Sequence, residues 1–274
     1  MAQGRCRLTG RTGKFVKAHL MPKALTRPAG GAPFIQAGNG TRPHKRWSSW
    51  YDHRLVTADG EHILELLDTW AIKELRRHQL VWSGWGDEQT LGLKHDPIPG
   101  TPWGIRSVEG LDGSRLRLFF LSLLWRAAAS DRIEFSEVAL PESDLERLRL
   151  MVLSGHPEPL EFYPTILSQL STRGPVHNQT PIRSLKSLPA VGEQPETPIP
   201  SYRFYFDGLA AHMHIDVPSE QSVKALGPLV VGCEKRLVIH TVTYEQSFQR
   251  QNLERVHAEA RSSWPSEMKK LAGS

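Results

Sequence analysis

The chain has 274 residues, 39% of them hydrophobic and 23% charged, with a net charge of +5 and a pI near 9.3. This is the balance of an ordinary globular chain with material for one sizeable core or two small ones. No apolar run approaches twenty residues and no signal-peptide apolar core is present, which argues against a membrane partner. The two cysteines, Cys6 and Cys233, lie far apart and form no CxxC pair, which argues against a disulfide framework and for a reducing, cytoplasmic setting.

The charge is unevenly spread. Arg5, Arg7, Arg11, Lys14, Lys17, Lys23, Arg27, Arg42, Lys45 and Arg46 all precede the first acidic residue, Asp52. Such a field attracts phosphates and predicts salt-dependent binding of nucleic acid. An Arg-rich targeting segment is the competing reading. It fits less well, because Gly, Pro and Trp recur here and no long amphipathic helix precedes His19.

In chain order, Arg5–Gly13 reads as a Gly-punctuated knuckle and Lys14–His19 as a short strand ended by Pro22. Residues 26–46, rich in Gly, Pro, Asn and Arg, read as a long loop. Trp47, Trp50 and Tyr51 follow. Bases stack on such rings, with Arg adding cation–π contacts, while packing in the core is the commoner use of a Trp. Arg54–Thr57 reads as a second strand. Glu61–Arg77 reads as a helix with a broad apolar face (Ile63, Leu64, Leu66, Leu67, Trp70, Ala71, Leu75), acids early and bases late. Residues 83–113 read as irregular connection. Residues 114–129 are the most apolar segment and predict a buried helix, with Arg126 inside it. Phe135–Leu140 reads as a strand, Pro141–Ser154 as a helix stopped by Gly155, and Leu160–Leu170 as a strand. Residues 173–200 are Pro- and Ser-rich and read as a loop. Tyr202–Phe206, Asp207-Gly208 and Leu209–Val217 spell a hairpin. Leu229–Val231 and Arg236–Thr243 read as a strand pair, and Tyr244–Trp264 as a polar terminal helix.

One ordered set of residues resembles a known family. Cys6 and Thr9, then Ala18-His19-Leu20-Met21-Pro22, then Leu55–Glu61 opening a helix, are similar to an HNH-type (His-Me finger) nuclease module. The similarity is to uncharacterised bacterial and phage HNH-like proteins with a C-x-x-C, S-H-x-x-P, L-L-C-x-x-C-E pattern. It continues through Leu118–Ala127, which contains Leu-Trp-Arg, and Leu148–Met151, covering about the first 155 residues. The resemblance implies a β-hairpin followed by a helix, with His19 as the general base that activates water against a phosphodiester. It also implies a divalent cation, Mg²⁺ or Mn²⁺, on the scissile phosphate. Cys6 matches the first zinc cysteine, while Thr9, Thr57 and Gly60 stand where the other three would be. One cysteine cannot make a tetrahedral zinc site, so packing by Trp47, Trp50, Leu55 and Trp70 is expected in place of zinc. Ala18 stands where many such enzymes have a metal-binding Asp or His. Glu61, His62 and Glu65, close together on the new helix, offer a makeshift metal site. Lys14, Lys17, Lys23, Arg27, Arg42, Lys45, Arg46, Trp47 and Trp50 are the candidate nucleic-acid contacts.

His212 and His214, two apart on one strand, project to one face near Asp207 and Asp216. They suit a metal site or, more commonly, a solvent-exposed strand. No P-loop, GxGxxG or GxSxG motif is present. The expected fold is α+β. It comprises a zinc-less HNH-like ββα module (1–82), a helical core segment with a buried central helix (83–172), a Pro/Ser-rich loop (173–200), and a β-hairpin region with a terminal helix (201–274). Two functions stand side by side. One is a metal-dependent endonuclease that hydrolyses DNA with His19 as base. The other is a catalytically inactive HNH-fold scaffold that binds DNA or a protein partner.

Overall fold

The computed structural model describes residues 2–26, 33–38, 41–47, 49–187, 198–215 and 220–272. The fold is mixed α+β. Its first part is made of small paired pieces. Strand β1 (Gln3–Arg5) pairs antiparallel with β2 (Thr12–Lys14) across the knuckle, and β3 (Ala18–His19) leads to a single-turn helix α1 (Lys23–Thr26). The loop expected over residues 26–46 contains an antiparallel hairpin of β4 (Phe34–Gly38) and β5 (Thr41–Arg46). Strand β6 (Tyr51–Asp52) then pairs with β3, placing His19 opposite Tyr51. The second strand thus forms earlier than Arg54–Thr57. That segment still joins the module, since Leu55 O accepts from Arg7 N (2.9 Å) and Val56 O from Val16 N (3.2 Å).

Helix α2 (Ala58–Arg77) buries Gly60, Leu64, Leu67, Ala71 and Leu75, a narrower stripe than the face read from the sequence, because Ile63 and Trp70 are half-buried and Leu66 turns to solvent. Strands β7 (Asp96–Pro97) and β8 (Trp103–Val108) occupy the stretch read as irregular. Helix α3 (Gly113–Ala129) begins at Asp112, whose side chain accepts from Arg115 N at 2.9 Å, an N-cap. It is buried on every side from Leu116 to Ala127. Phe135–Leu140 is not a strand. Its start is a 3₁₀ turn over Ile133–Phe135 that turns Phe135 into the core. Helix α4 (Glu142–Ser154) follows as expected.

The large sheet has the order β10-β11-β12-β9-β13-β8-β7, with β9 (Thr165–Leu170), β10 (Ile182–Ser187), β11 (Pro198–Phe206), β12 (Leu209–His214) and β13 (Leu237–Val242). All neighbours are antiparallel except β9 and β13. The β11–β12 hairpin turns on Asp207 (φ 51) and Gly208 (φ 82), the pair of positive angles that an Asp-Gly turn supplies. Between β12 and β13 lies α5 (Glu220–Leu226). Val230 makes only an isolated bridge to Ile166, so no Leu229–Val231 strand forms. The terminal helix is two helices, α6 (Phe248–Ser263) and α7 (Pro265–Ala272), broken at Pro265, which cannot continue α6.

One apolar cluster runs from Cys6 through α2, α3 and α4 to Ile239 in β13. Helix α3 is its axis. Phe119 and Phe120 meet Phe206 of the sheet at 6.4 Å between ring centroids, and Arg126 reaches Asp68 of α2. The first 82 residues and the sheet therefore share one core. Among the described residues no helix is long and apolar enough to cross a membrane.

Candidate active site

The knuckle positions singled out in the sequence converge. Thr9 N donates to Cys6 Sγ at 3.4 Å. Burial pushes the Cys6 thiol up, but hydrogen bonds from Thr9 and Thr57 outweigh it and leave the thiol below its ordinary value. A Cβ built on Gly60 would lie 2.7 Å from Cys6 Sγ. Residues 6, 9, 57 and 60 thus sit around one buried point, where Cys6 Sγ fills the space. Around it the expected packing is divided. Trp50 (3% exposed) and Leu55 are core, with Trp50 edge-on to Phe135 at 6.1 Å. Trp70 is half-buried under the Arg115 guanidinium at 4.7 Å. Trp47 is 69% exposed and packs on none of this.

Next to the knuckle, β3 and α2 bound an open cleft of about 300 Å³. His19, Lys17 and Lys23 line it from the strand side, and Glu61, Glu65 and Asp68 from the helix. The carboxylates stand at i, i+4 and i+7, one stripe of an α-helix. His62, about 100° further round the helix, is exposed and does not line the cleft. The expected trio of Glu61, His62 and Glu65 is therefore split. Among the described residues no group of three or more His, Cys, Asp or Glu is arranged to hold a metal ion.

Arg126 underpins the cleft. Its guanidinium donates to Asp68 Oδ2 at 2.9 Å and to the His19 carbonyl at 3.2 Å, with Ser122 Oγ also at 2.9 Å. The Arg126 side chain is 1% exposed and that of Asp68 is 15% exposed. A buried guanidinium needs such a partner, and this pair fixes the strand that carries His19 to the helix that carries the acids. Neither Asp68 nor the role of Arg126 was picked out from the sequence. The available signals were a lone Arg inside the most apolar segment and an acid seven residues after Glu61.

The two central groups are shifted in opposite senses. Burial, with Lys17 and Lys23 beside it, holds His19 below its usual value, against a weaker pull from Asp68. The imidazole is therefore neutral at pH 7. Burial raises Glu61 to about 7 against the pull of Arg126, with Asp68 and Glu65 adding to the rise and the His19 backbone N–H opposing it. Among the described residues Glu61 Oε2 is buried with no hydrogen-bond partner.

The expected nucleic-acid contacts divide into two sets. Lys14, Lys17, Lys23, Arg42 and Trp47 are exposed, Lys17 resting 3.9 Å over the Tyr51 ring and Arg42 paired with Glu267 at 3.1 Å. Lys45 is half-buried. Arg46 and Trp50 are taken into the structure. Arg46 is paired with Glu134 at 3.0 Å, bonded to Gln36 and set against the Trp50 ring. Arg27 lies outside the described residues. His212 and His214 are 6% and 2% exposed, against the expectation of a solvent-facing strand. The reason is that β12 is an interior strand covered on both faces. Asp216 lies outside the described residues.

A larger groove, about 370 Å³, runs between the β4–β5 hairpin and α6. His177 in its wall has both ring nitrogens occupied, by Pro175 O and by Gln249 Nε2, each at 2.7 Å, and stacks on Tyr205. It is a packed histidine without a free base. The cleft at His19 is thus the better candidate for chemistry. Comparison with protein-family models, with curated proteins and with solved structures finds no match.

Proposed function

We propose that this chain is an HNH-like nucleic-acid-binding protein whose cleft breaks phosphodiester bonds, with His19 as general base. The observation that carries this reading is the placement of His19. A neutral imidazole lines an open cleft, two lysines stand on the same wall, and a carboxyl of raised pKa faces them from α2. A base must be unprotonated at working pH and within reach of solvent or substrate. Lys17 and Lys23 offer positive charge to a phosphate. Further phosphate contacts come from Lys14, and Trp47 offers a stacking face.

The resemblance adds Mg²⁺ or Mn²⁺, and the residues present do not fit it well. Asp68 is committed to Arg126, His62 lies outside the cleft, and Glu61 is half-protonated near neutrality. A hard cation wants charged oxygens held at fixed geometry, and the cleft does not present such a set. The same shortage favours a second reading, in which the fold is a scaffold that binds DNA or a protein partner without cutting. A nicking assay on supercoiled plasmid with Mg²⁺, Mn²⁺ or EDTA, comparing wild type with His19→Ala, separates the two when run beside a gel shift. Nicking that is lost in His19→Ala supports the base. Nicking unchanged in His19→Ala overturns it, and a gel shift without nicking supports the scaffold.

A further inference from the structure

From the same cleft, and resting on the reading of His19 as a base, we infer that the polymer it cuts is RNA and that the cut is a metal-independent transphosphorylation. His19 takes the proton of a ribose 2′-hydroxyl and Glu61 protonates the leaving 5′-oxygen. Hydrolysis of DNA needs an external water made nucleophilic and a leaving alkoxide stabilised, which is the work a cation commonly does. RNA brings its own nucleophile, the 2′-hydroxyl on the carbon next to the one that bears the phosphate. What remains is one base, one acid and positive charge for the non-bridging oxygens. The cleft holds that set: His19, Glu61, and Lys17 with Lys23.

The other charged groups around it are already accounted for. Asp68 is held by Arg126, and Glu65 is exposed on the rim. Among the described residues Glu61 Oε2 is buried and has no hydrogen-bond partner, so this oxygen of the carboxyl is left for a ligand. The protonation states agree with the assignment. Between the lowered value of His19 and about 7 for Glu61, the imidazole is neutral and the carboxyl carries its proton.

The step balances. The 2′-O–P bond forms and the P–O5′ bond breaks. The 2′-hydroxyl proton passes to a ring nitrogen of His19, and the Glu61 proton passes to O5′. The products are a 2′,3′-cyclic phosphate and a 5′-hydroxyl, with the protein left as imidazolium and carboxylate. In the second step Glu61 takes a proton from water as it attacks the cyclic phosphate, and His19 returns its proton to the 2′-oxygen. Both groups are then restored.

The test uses the full-length protein on end-labelled RNA and DNA of one sequence, each in EDTA and in Mg²⁺, with 2′-O-methyl RNA as a third substrate. Expected is cleavage of RNA alone in EDTA, with 2′,3′-cyclic ends and no cleavage of the methylated strand. The rate should fall at least about 10²-fold in both His19→Ala and Glu61→Gln, the usual worth of a positioned acid or base. The methylated substrate leaves the protein unaltered, so a variant that fails to fold does not spoil the test. RNA cleavage that persists in Glu61→Gln overturns the acid assignment. Metal-dependent cleavage of DNA without cleavage of RNA in EDTA overturns the inference while leaving His19 as a base. No cleavage of any substrate, with binding retained, overturns both.

Discussion

Gly60 sits in the first turn of α2, where an alanine is ordinarily the better residue by about 1 kcal/mol. Here the structure predicts the opposite. A methyl group on residue 60 would lie 2.7 Å from Cys6 Sγ and 3.0 Å from Val56 Cβ, all of them buried. Cys6 Sγ is not free to swing away, since it accepts from Thr9 N. Overpacking of this kind costs about 1–3 kcal/mol, so Gly60→Ala should be destabilising by up to about 2 kcal/mol after the helix gain is subtracted. Removing the sulfur takes away the closer of the two approaches. In a Cys6→Ala background only the approach to Val56 Cβ at 3.0 Å remains and offsets the helix gain, so the same substitution should be close to neutral there. The coupling between the two sites is then up to about 2 kcal/mol, against the few tenths found for independent sites. Urea unfolding of the four proteins, followed by far-UV circular dichroism, measures it. Additive effects, or a Gly60→Ala that stabilises the wild-type background, would refute the close approach of α2 to the knuckle.

Four more outcomes follow from the same geometry. Thr9→Cys, Thr57→Cys and Gly60→Cys together should give, with Cys6, a four-thiolate site that binds one zinc or cobalt ion per chain. Absence of cobalt–thiolate absorption would count against the convergence of those four positions. Arg126→Ala should destabilise the fold by about 3–5 kcal/mol, because it strands the Asp68 carboxylate and the His19 carbonyl; a loss under 1 kcal/mol in urea would show that the pair is not buried as described. Glu61→Gln should make the protein more stable than wild type at pH 8 by about 1–2 kcal/mol after allowance for partial exposure, with the difference fading below pH 5. The sign follows from a folded-state value of about 7 against an ordinary 4.5. The protonated carboxyl is favoured in the fold, and that advantage is lost as pH rises through 7. Wild type and variant with equal melting temperatures at both pH values would contradict it. Finally, each of Lys14→Ala, Lys17→Ala and Lys23→Ala should reduce the slope of log affinity against log salt by about 0.7–0.9 for bound nucleic acid, whereas Arg46→Ala should act chiefly on stability, because Arg46 is paired with Glu134.

Much of the local structure was legible because local rules decide it. Helix α2 shows its apolar stripe, α3 its unbroken apolar run, α4 its Gly155 stop, and the β11–β12 hairpin its Asp-Gly turn. The β4–β5 hairpin was hidden by its own composition. Pro43 and a run of bases in β5 do not read as a strand. Strand β8 was masked by Gly and Pro around it. The parallel pairing of β9 with β13 joins Ser168 to His240, and no short window of sequence contains both. The cleft divides in the same way. His19, Lys17, Lys23, Glu61 and Glu65 lie within two short stretches and were picked out from sequence. Asp68 and Arg126 make one ion pair across 58 positions, and only the packing of α3 against α2 brings them together. Trp47 and Trp50 were indistinguishable in sequence, yet Trp50 packs against Phe135 in the core and Trp47 stays in solvent.

The knuckle at the start of the chain is fastened from far downstream. Arg149 Nη1 donates to the Leu8 carbonyl at 2.7 Å across 141 positions, and Arg7 bonds to the Ala129 carbonyl and Asp131. During synthesis these partners arrive late. At roughly 5–20 residues per second, Leu8 waits about 7–28 s for Arg149 to be made. The apolar face of α2 waits in the same way for α3, and Asp68 waits for the guanidinium of Arg126, 58 positions on, about 3–12 s at that rate. The strand that carries His19 is therefore made before the helix that holds it in place, so that a nascent or truncated chain ending after residue 82 carries His19 without Arg126 behind it.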